Sequence, residues 1–316
     1  MNDVLVLGGG VAGLTTARCL LAAGRTVRIA ARAFVGGTTS SVAGDFWYPY
    51  RAYPEDKVAP WARVSYQRFA ALARTTPEAG VVAREAIELF PTATPAPAWA
   101  RDLPDFELLG PGDDLPAGFV AGHRFTTYVV ETAIYLPWLR RQVEAAGATL
   151  VTRDYASLDE ALAECPRVVN CAGLGARALA PDPSLRPVRG QIVRVKSPGL
   201  ARVWIDEHSD HGITYIVPRS QDVILGGTAD EDEEDTTPDD ARAREIVARC
   251  ARLAPALARA EVTSIAVGLR PVRPTVRLEP EPRPAGLVVH NYGHGGAGVT
   301  LSWGCAEAAA ELVRST

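Results

Sequence analysis

Three glycines near the amino terminus have a spacing suited to phosphate binding. Gly8, Gly10 and Gly13 fit the pattern G-x-G-x-x-G. In such a loop the first glycine permits a tight turn, the second lets the backbone approach a pyrophosphate, and the third lets the following helix pack on the strand. The free N–H groups at the start of that helix then bind the phosphates. The spacing therefore predicts a dinucleotide site.

The segments on both sides of these glycines agree with that prediction. Val4–Leu7 is a continuous apolar run, as expected of a parallel strand that is covered on both faces. Residues 14–23 have the apolar spacing of a helix, and residues 27–30 form the next predicted strand. A strand, a glycine loop, a helix and a second strand are the context that gives this motif its meaning.

The end of the second strand departs from the usual pattern. A dinucleotide-binding unit normally places Asp or Glu there to bind the adenosine ribose, whereas this chain has Ala31 and Arg32. Either the backbone and other side chains hold the ribose hydroxyls, or the nucleotide is bound less tightly. Arg32 also leaves open a 2′-phosphate at this position, and hence NADP.

A second unit made of a strand, a glycine-rich turn and a helix lies near the carboxyl terminus. The apolar residues 288–289 lead into the glycine-rich residues 293–298, and a helix is predicted over residues 300–313. A nicotinamide enzyme does not need this second unit, but a flavin enzyme does. The positive end of a helix directed at the N1/C2 edge of the isoalloxazine ring would stabilise the anionic reduced ring.

Further segments extend the two glycine-rich units into a pattern that covers nearly the whole chain. They occur in order at residues 38–44, 47–50, 169–173, 189–191, 214–218, 225–228 and 268–274. Together with the two units they closely resemble the D-amino-acid oxidase family, including its D-aspartate oxidase branch.

This resemblance implies FAD as the cofactor and assigns residues to it. The residues it places at the diphosphate are Gly8, Gly10, Val11, Ala12 and Gly13, with Thr38, Thr39 and Ser40 near the phosphates and Gly44 and Asp45 near the flavin. Tyr155 and Ala172 belong to the nucleotide half, and Arg32 matches the family's adenine-side arginine, which weakens the NADP interpretation. The residues expected along the flavin ring are Gly295, Gly296, Ala297, Gly298, Val299 and Thr300.

The resemblance also indicates how an α-amino acid is bound. Arg270 has a guanidinium fork that matches a carboxylate with two charge-assisted hydrogen bonds. Tyr215 is expected to donate its hydroxyl to the same carboxylate, and the carbonyl of Gly296 to accept from the amine. The alternatives are a structural ion pair for Arg270 and a packed strand tyrosine for Tyr215.

The expected reaction needs no acid or base. In this family the Cα hydrogen leaves as a hydride to flavin N5, so catalysis rests mainly on orientation and electrostatics. The imino acid then hydrolyses to a 2-oxo acid and ammonia, and molecular oxygen reoxidises the flavin with release of hydrogen peroxide. His290 and His294 are expected to be structural.

Departures from the family pattern bear on the substrate. Residues 212–215 are shorter than the lid of many animal members and resemble the D-aspartate branch, yet Ala229 stands where that branch tends to carry Arg. Phe46, Tyr48, Val217 and Ala229 instead indicate an apolar pocket. Neutral D-amino acids are therefore expected over D-aspartate. D-aspartate oxidase and a glycine or sarcosine oxidase of the same fold remain the alternatives.

The predicted fold is α/β, with a Rossmann-like FAD-binding domain interleaved with an α+β substrate domain on a mostly antiparallel sheet. Segments typical of parallel strands occur early, in the middle and late, with segments typical of antiparallel strands between them. The FAD-binding domain is assigned to residues 1–55, 135–195 and 275–316. The substrate-binding domain is assigned to residues 56–134 and 196–274.

Composition excludes several classes of protein and partner. A net charge of −4 and a pI near 5.8 argue against nucleic-acid binding, and no apolar run is long enough to span a membrane. Five scattered cysteines lack metal-ligand spacing, so no metal is expected. The chain has neither a basic leader nor a Ser-Lys-Leu ending, which favours the cytoplasm. A homodimer is one candidate assembly. The rival functions are a quinone-linked dehydrogenase, an NADP dehydrogenase and a non-catalytic sensor.

Overall fold

Parallel strands with helices occupy one end of the molecule, and antiparallel strands occupy the other. The computed structural model describes residues 3–44 and 46–315 and, at Asp102, the backbone alone. The strands are β1 Val4–Leu7, β2 Val27–Ala31, β3 Val81–Phe90, β4 Glu107–Leu109, β5 Ala121–Val130, β6 Thr149–Thr152, β7 Arg167–Asn170, β8 Arg186–Lys196, β9 Val203–Asp206, β10 Thr214–Pro218, β11 Asp222–Gly226, β12 Asp230–Glu231, β13 Val262–Arg283 and β14 Gly286–His294. The α-helices are α1 Val11–Ala22, α2 Glu55–Thr75, α3 Thr132–Ala145, α4 Leu158–Glu164, α5 Ala176–Leu179, α6 Asp240–Leu253 and α7 Gly298–Arg314.

The parallel region has the strand order β14-β7-β1-β2-β6. The central strand, β1, is buried on both faces. Its successive side chains point to opposite sides of the sheet and enter two different hydrophobic clusters. Val4 and Val6 pack in the cluster that includes α1 and α7, whereas Leu5 and Leu7 pack in the cluster that includes α4. Burial on both faces explains the continuous apolar run in the sequence.

The helices that follow the two glycine-rich turns begin earlier than the sequence predicts. Helix α1 begins at Val11 rather than at residue 14, and α7 begins at Gly298 rather than at residue 300. Periodic apolar side chains mark only the part of a helix that faces the core. The first turns of α1 and α7 carry small residues, so the pattern does not reveal them.

The antiparallel region has the order β4-β5-β3-β9-β10-β11-β8-β13, and only the β3–β9 pair is parallel within it. Helix α6 covers one face of this region. Its Ile246 and Cys250 pack against Val193, Ile216 and Leu225 from three neighbouring strands. This packing gives the antiparallel region a core of its own.

One long strand joins the two regions into a continuous sheet. Strand β13 pairs with β8 over residues 262–272 and with β14 over residues 272–283. The predicted fold class, a Rossmann-like unit interleaved with a mostly antiparallel one, is therefore confirmed. The domain boundaries stay a prediction. The proposed boundary between residues 274 and 275 falls inside β13, and β8, assigned to the FAD-binding domain, pairs with the antiparallel β11.

No helix in residues 3–44 and 46–315 has the length and apolar character needed to cross a membrane. No disulfide forms among the cysteines of residues 3–44 and 46–315, and burial is the main factor that raises the pKa of the Cys19, Cys171 and Cys250 thiols to about 12.

Candidate active site

A cavity of about 770 Å³ extends from the glycine loop after β1 to the antiparallel strands. This volume lies in the range of pockets that bind small molecules and cofactors, ~300–1,000 Å³. The predicted site residues that line it are Gly8, Gly10, Val11, Ala12, Arg32, Thr38, Thr39, Ser40, Gly44, Phe46, Tyr48, Tyr155, Ala172, Tyr215, Arg270, Gly295, Gly296, Gly298, Val299 and Thr300.

Four predicted residues do not line this cavity. Gly13 and Ala297 lie behind the two glycine-rich turns, and Ala297 is fully buried. Val217 is fully buried in the main core, and Ala229 is half-buried outside the cavity wall. Asp45, predicted to lie near the flavin, is outside the described residues.

The glycine loop has the geometry that its sequence predicts. Gly8 has φ +129°, a conformation that side chains disfavour, and a Cβ there would lie 2.3 Å from the carbonyl oxygen of Cys171. Gly13 packs so closely that its Cβ would lie 1.9 Å from the carbonyl oxygen of Gly8. Gly10 precedes helix α1 and has no side chain to cap it, and Ser40 Oγ accepts from the N–H of Val11 at 3.1 Å.

Arg270 lies flat against the backbone of the neighbouring strand. A Cβ at Gly190 of β8 would lie 2.4 Å from Nη1 of Arg270, so only glycine leaves room for the guanidinium. Nη1 donates to the carbonyl oxygen of Thr228 at 2.9 Å. No carboxylate among the described residues forms an ion pair with Arg270. The structural ion pair considered from the sequence is therefore not found in the described part of the chain.

Tyr215 is held in the cavity wall by close packing on the next strand. It lies opposite Gly226 of β11, where a Cβ would lie 1.9 Å from the tyrosine ring. The hydroxyl of Tyr215 would be 2.9 Å from a Cβ at Gly227. Phe46 packs near the same ring, with centroids 6.3 Å apart.

Gly296 and Tyr50 meet at the glycine-rich turn before α7. A Cβ at Gly296 would lie 2.5 Å from the ring of Tyr50 and 3.5 Å from Cδ of Arg270. The three predicted substrate-binding residues, Tyr215, Arg270 and Gly296, therefore line one end of the cavity, and the phosphate loop lines the other.

Glu207 is a cavity residue that the sequence did not indicate. It follows β9 directly, and β9 pairs with β10, the strand that carries Tyr215. Burial, and then the nearby negative charge of Glu88, raises the pKa of Glu207 to about 7, although Arg51, His208 and Arg270 act in the opposite direction. The described residues offer its carboxyl no hydrogen bond. The only feature of the sequence that could have indicated Glu207 as a site residue is its position as a charged residue directly after an apolar strand.

A buried polar network lies behind the aromatic wall. The hydroxyl of Tyr48 donates to Oε1 of Glu88 at 2.5 Å, and Nε2 of His208 lies 3.0 Å from the same oxygen. Nδ1 of His123 lies 3.5 Å from the other carboxylate oxygen. Burial acts to raise the pKa of Glu88, but nearby His123 and the hydrogen bonds from His208 and Tyr48 lower it below its usual value.

The two histidines near the carboxyl-terminal turn have structural partners. Nε2 of His290 lies 2.8 Å from Oε2 of Glu281, and Nε2 of His294 lies 3.0 Å from Oδ1 of Asn291. Complete burial lowers the pKa of His294 to about 4, so this ring is neutral at neutral pH. No group of three or more potential metal ligands occurs within the described parts of the chain.

The cavity fits FAD on the geometry of its two helix termini. Helices α1 and α7 both begin at the cavity, and neither has a capping side chain at its N-cap residue. Apart from the N–H of Val11, which donates to Ser40, their first turns present backbone N–H groups and partial positive charge. The terminus of α1 suits a diphosphate, and that of α7 suits the carbonyl edge of a flavin. Val11 and Ala12 would contact the diphosphate, and Gly298 and Val299 the flavin.

A family model described as FAD dependent oxidoreductase matches residues 3–312 of this chain. The chain is 48% identical over 309 residues to a D-amino-acid oxidase of Rubrobacter xylanophilus, covering 98% of this chain and 94% of that protein. It is 36% identical over 328 residues to the D-aspartate oxidase of Homo sapiens, covering 98% of this chain and 94% of that protein.

A solved structure supports the same fold. The glycine oxidase of Geobacillus kaustophilus superimposes with a TM-score of 0.80 and 22% identity, covering 100% of this chain and 95% of that one. The predictions of the family, of an oxidoreductase and of FAD as the cofactor are confirmed. The chain belongs to the family of FAD-dependent oxidoreductases that includes the D-amino-acid oxidases.

Proposed function

We propose that this enzyme oxidises D-amino acids to 2-oxo acids, with release of ammonia and hydrogen peroxide. The observation that carries the proposal is the placement of Arg270, Tyr215 and the carbonyl of Gly296 around one end of the FAD-binding cavity. An amino acid has a carboxylate and an amine on one carbon, and these three groups are complementary to both. The 48% identity to a D-amino-acid oxidase supports the same substrate class.

Arg270 binds the substrate carboxylate. The described residues do not neutralise its guanidinium by an ion pair, and one of its nitrogens is anchored on the carbonyl of Thr228. The group is therefore fixed in place but keeps its charge available, a combination that suits bidentate recognition of a carboxylate. Tyr215 donates its hydroxyl to the same carboxylate.

The carbonyl of Gly296 accepts a hydrogen bond from the substrate amine and thereby orients Cα. When bound, FAD would supply the acceptor for the hydride from Cα and the redox centre that molecular oxygen reoxidises. The protein contributes orientation and the exclusion of water, for which the apolar walls at Phe46 and Tyr48 are suited.

D-amino acids with neutral side chains are the preferred substrates. Phe46 and Tyr48 present aromatic surface to the substrate end of the cavity, and Glu207 adds a carboxyl group there. An acidic side chain would bring a second negative charge close to Glu207, and like charges in a partly buried site repel strongly. D-valine and D-methionine are therefore expected to be better substrates than D-aspartate.

The test is the visible spectrum of the FAD-loaded enzyme under anaerobic conditions. D-valine and D-methionine are expected to bleach the flavin band, L-valine and L-methionine to leave it, and readmitted oxygen to restore it with formation of hydrogen peroxide. A higher kcat/KM for D-aspartate would contradict the preference for neutral side chains. Bleaching by glycine or sarcosine alone would contradict the proposed substrate class.

A further inference from the structure

A carboxylate from a neighbouring strand lies beside the position where the usual ribose-binding acid is missing. Strand β2 ends at Ala31, and its parallel neighbour β6 ends at Thr152, which is paired with Ala31. The N–H of Arg153 donates to the carbonyl of Ala31 at 3.0 Å, which holds the two strand ends together. Asp154 is the next residue.

Asp154 lines the same cavity as the phosphate loop. Gly9 and Gly10 line the cavity near the pyrophosphate position, and Ala31, Arg32 and Asp154 line it at the ends of β2 and β6. In dinucleotide-binding units the ribose lies near the end of the second strand. The carboxylate of Asp154 therefore comes from an adjacent strand to the edge where the ribose hydroxyls are expected.

Asp154 is available to bind a ligand, whereas its neighbours are engaged. Arg153 forms ion pairs with Glu160 and Glu164, and the hydroxyl of Tyr155 donates to Glu164 at 3.1 Å. The carboxylate of Asp154 has one contact in the described residues, a 3.6 Å ion pair with Nε of Arg32, and both side chains are about two-thirds exposed (64% and 66%).

The pairing with Arg32 also bears on the type of nucleotide. An unpaired arginine at this position would attract a 2′-phosphate, as in NADP binding. Here the carboxylate offsets that charge and presents two acceptor oxygens, which suit the two hydroxyls of an unphosphorylated ribose. We propose that Asp154 binds the adenosine ribose hydroxyls of FAD and replaces the acid that is absent at Ala31.

This inference concerns cofactor binding and is tested by affinity rather than by turnover. Apoprotein of the wild type, Asp154→Ala and Asp154→Asn would be titrated with FAD, with binding followed by quenching of flavin fluorescence. Loss of charge-assisted hydrogen bonds is expected to weaken FAD binding by about ten- to a hundredfold. Asp114→Asn is the matched control, because Asp114 is exposed and does not line the cavity.

A modified cofactor separates a direct contact from a general disturbance. An FAD analogue with 2′-deoxyadenosine is expected to bind the wild type more weakly than FAD, and to bind Asp154→Ala as tightly as FAD does. Adding Ala31→Glu to Asp154→Ala is expected to restore FAD affinity. Equal sensitivity of the wild type and Asp154→Ala to the missing hydroxyl would overturn the inference. Normal FAD binding without oxidation of D-amino acids would instead contradict the proposed function.

Discussion

At the scale of single residues, the site depends on two charged groups in one cavity. Arg270 is fixed by the carbonyl of Thr228 and by close contact with Gly190, and the described residues leave it without an ion pair. Glu207 is the second group, a carboxyl whose pKa is raised to about 7, mainly by burial. The first group favours a substrate carboxylate, and the second disfavours a further one.

Replacement of Arg270 tests the first group. Arg270→Ala is expected to lower kcat/KM for D-valine by about a hundredfold or more, because a buried carboxylate of the substrate loses its partner. The FAD spectrum should remain, since Arg270 is assigned to the substrate and not to the cofactor. Arg202→Ala, at an exposed ion pair with Glu85, is the control and should change neither quantity. Near-normal turnover in Arg270→Ala would reject the assignment.

The protonation state of Glu207 should control the tolerance for acidic substrates. Above pH ~7 Glu207 is anionic and repels an acidic side chain; below that pH it is protonated and repels it less. For the wild type, the ratio of kcat/KM for D-aspartate to that for D-methionine is therefore expected to fall as the pH rises from 6 to 8 (roughly one unit on either side of the pKa). Glu207→Gln should remove most of this dependence. An unchanged pH profile in that variant would show that Glu207 does not act on the substrate.

At the scale of secondary-structure elements, strand pairing brings the substrate-binding residues together. Arg270 on β13 and Gly190 on β8 are close because these strands pair over residues 262–272. Tyr215 on β10 and Gly226 on β11 are directly opposite each other. Each functional side chain thus packs on a glycine of the adjacent strand, and the glycine is part of the site although it carries no functional group.

A methyl group on the adjacent strand should therefore disturb substrate binding. In Gly190→Ala the new Cβ would lie 2.4 Å from Nη1 of Arg270 and would displace the guanidinium. A misplacement of about 1 Å can cost roughly a hundredfold in rate, so kcat/KM for D-valine is expected to fall by that order while FAD remains bound. Gly110→Ala, where a Cβ meets no atom within 4 Å, is the control. Equal activities of the two variants would contradict this expectation.

Secondary structure near the site was largely predictable, but its contacts were not. The apolar runs at residues 4–7 and 27–30 indicated β1 and β2, and both strands are observed. The role of Glu207 depends on the register of β9 against β10. The position of Val217, in the core and not in the cavity wall, likewise depends on packing between distant segments. A single sequence does not encode these contacts in any local pattern.

At the scale of the whole molecule, β13 and β14 connect the nucleotide-binding region to the antiparallel sheet. Asp182, which follows α5, forms hydrogen bonds to both strands at this junction. It accepts from Nε of Arg273 at 2.7 Å, from the hydroxyl of Tyr292 at 2.8 Å and from Ser184 Oγ at 2.6 Å. Burial acts to raise the pKa of Asp182, but hydrogen bonds from Ser184, Tyr292 and Arg273 hold it well below its usual value of 3.8.

Asp182→Asn is expected to lower the free energy of unfolding at pH 7 by about 2–4 kcal/mol, because it leaves Arg273 without its buried partner. A carboxyl with a lowered pKa stabilises the folded state above its unfolded pKa and loses this effect as the pH falls through the folded pKa. The difference in the free energy of unfolding between the variant and the wild type should therefore shrink toward pH ~2. Urea unfolding at both pH values measures it, with Asp114→Asn as the control. A difference in the free energy of unfolding that does not change with pH would show that the charge of Asp182 does not stabilise the fold.

The sequence by itself predicted a dinucleotide site and the fold class, and the resemblance of its ordered motifs to a known family indicated FAD. The glycine loops, the apolar strands and the ordered motifs are local patterns, and backbone geometry constrains each of them directly. The arrangement of Tyr215, Arg270 and Gly296 could be expected only through resemblance to other proteins. Tertiary structure alone placed Glu207 in the cavity, brought Asp154 beside Ala31 and moved Val217 and Ala229 out of the cavity wall. These contacts join residues far apart in the chain, and strand register and packing decide them.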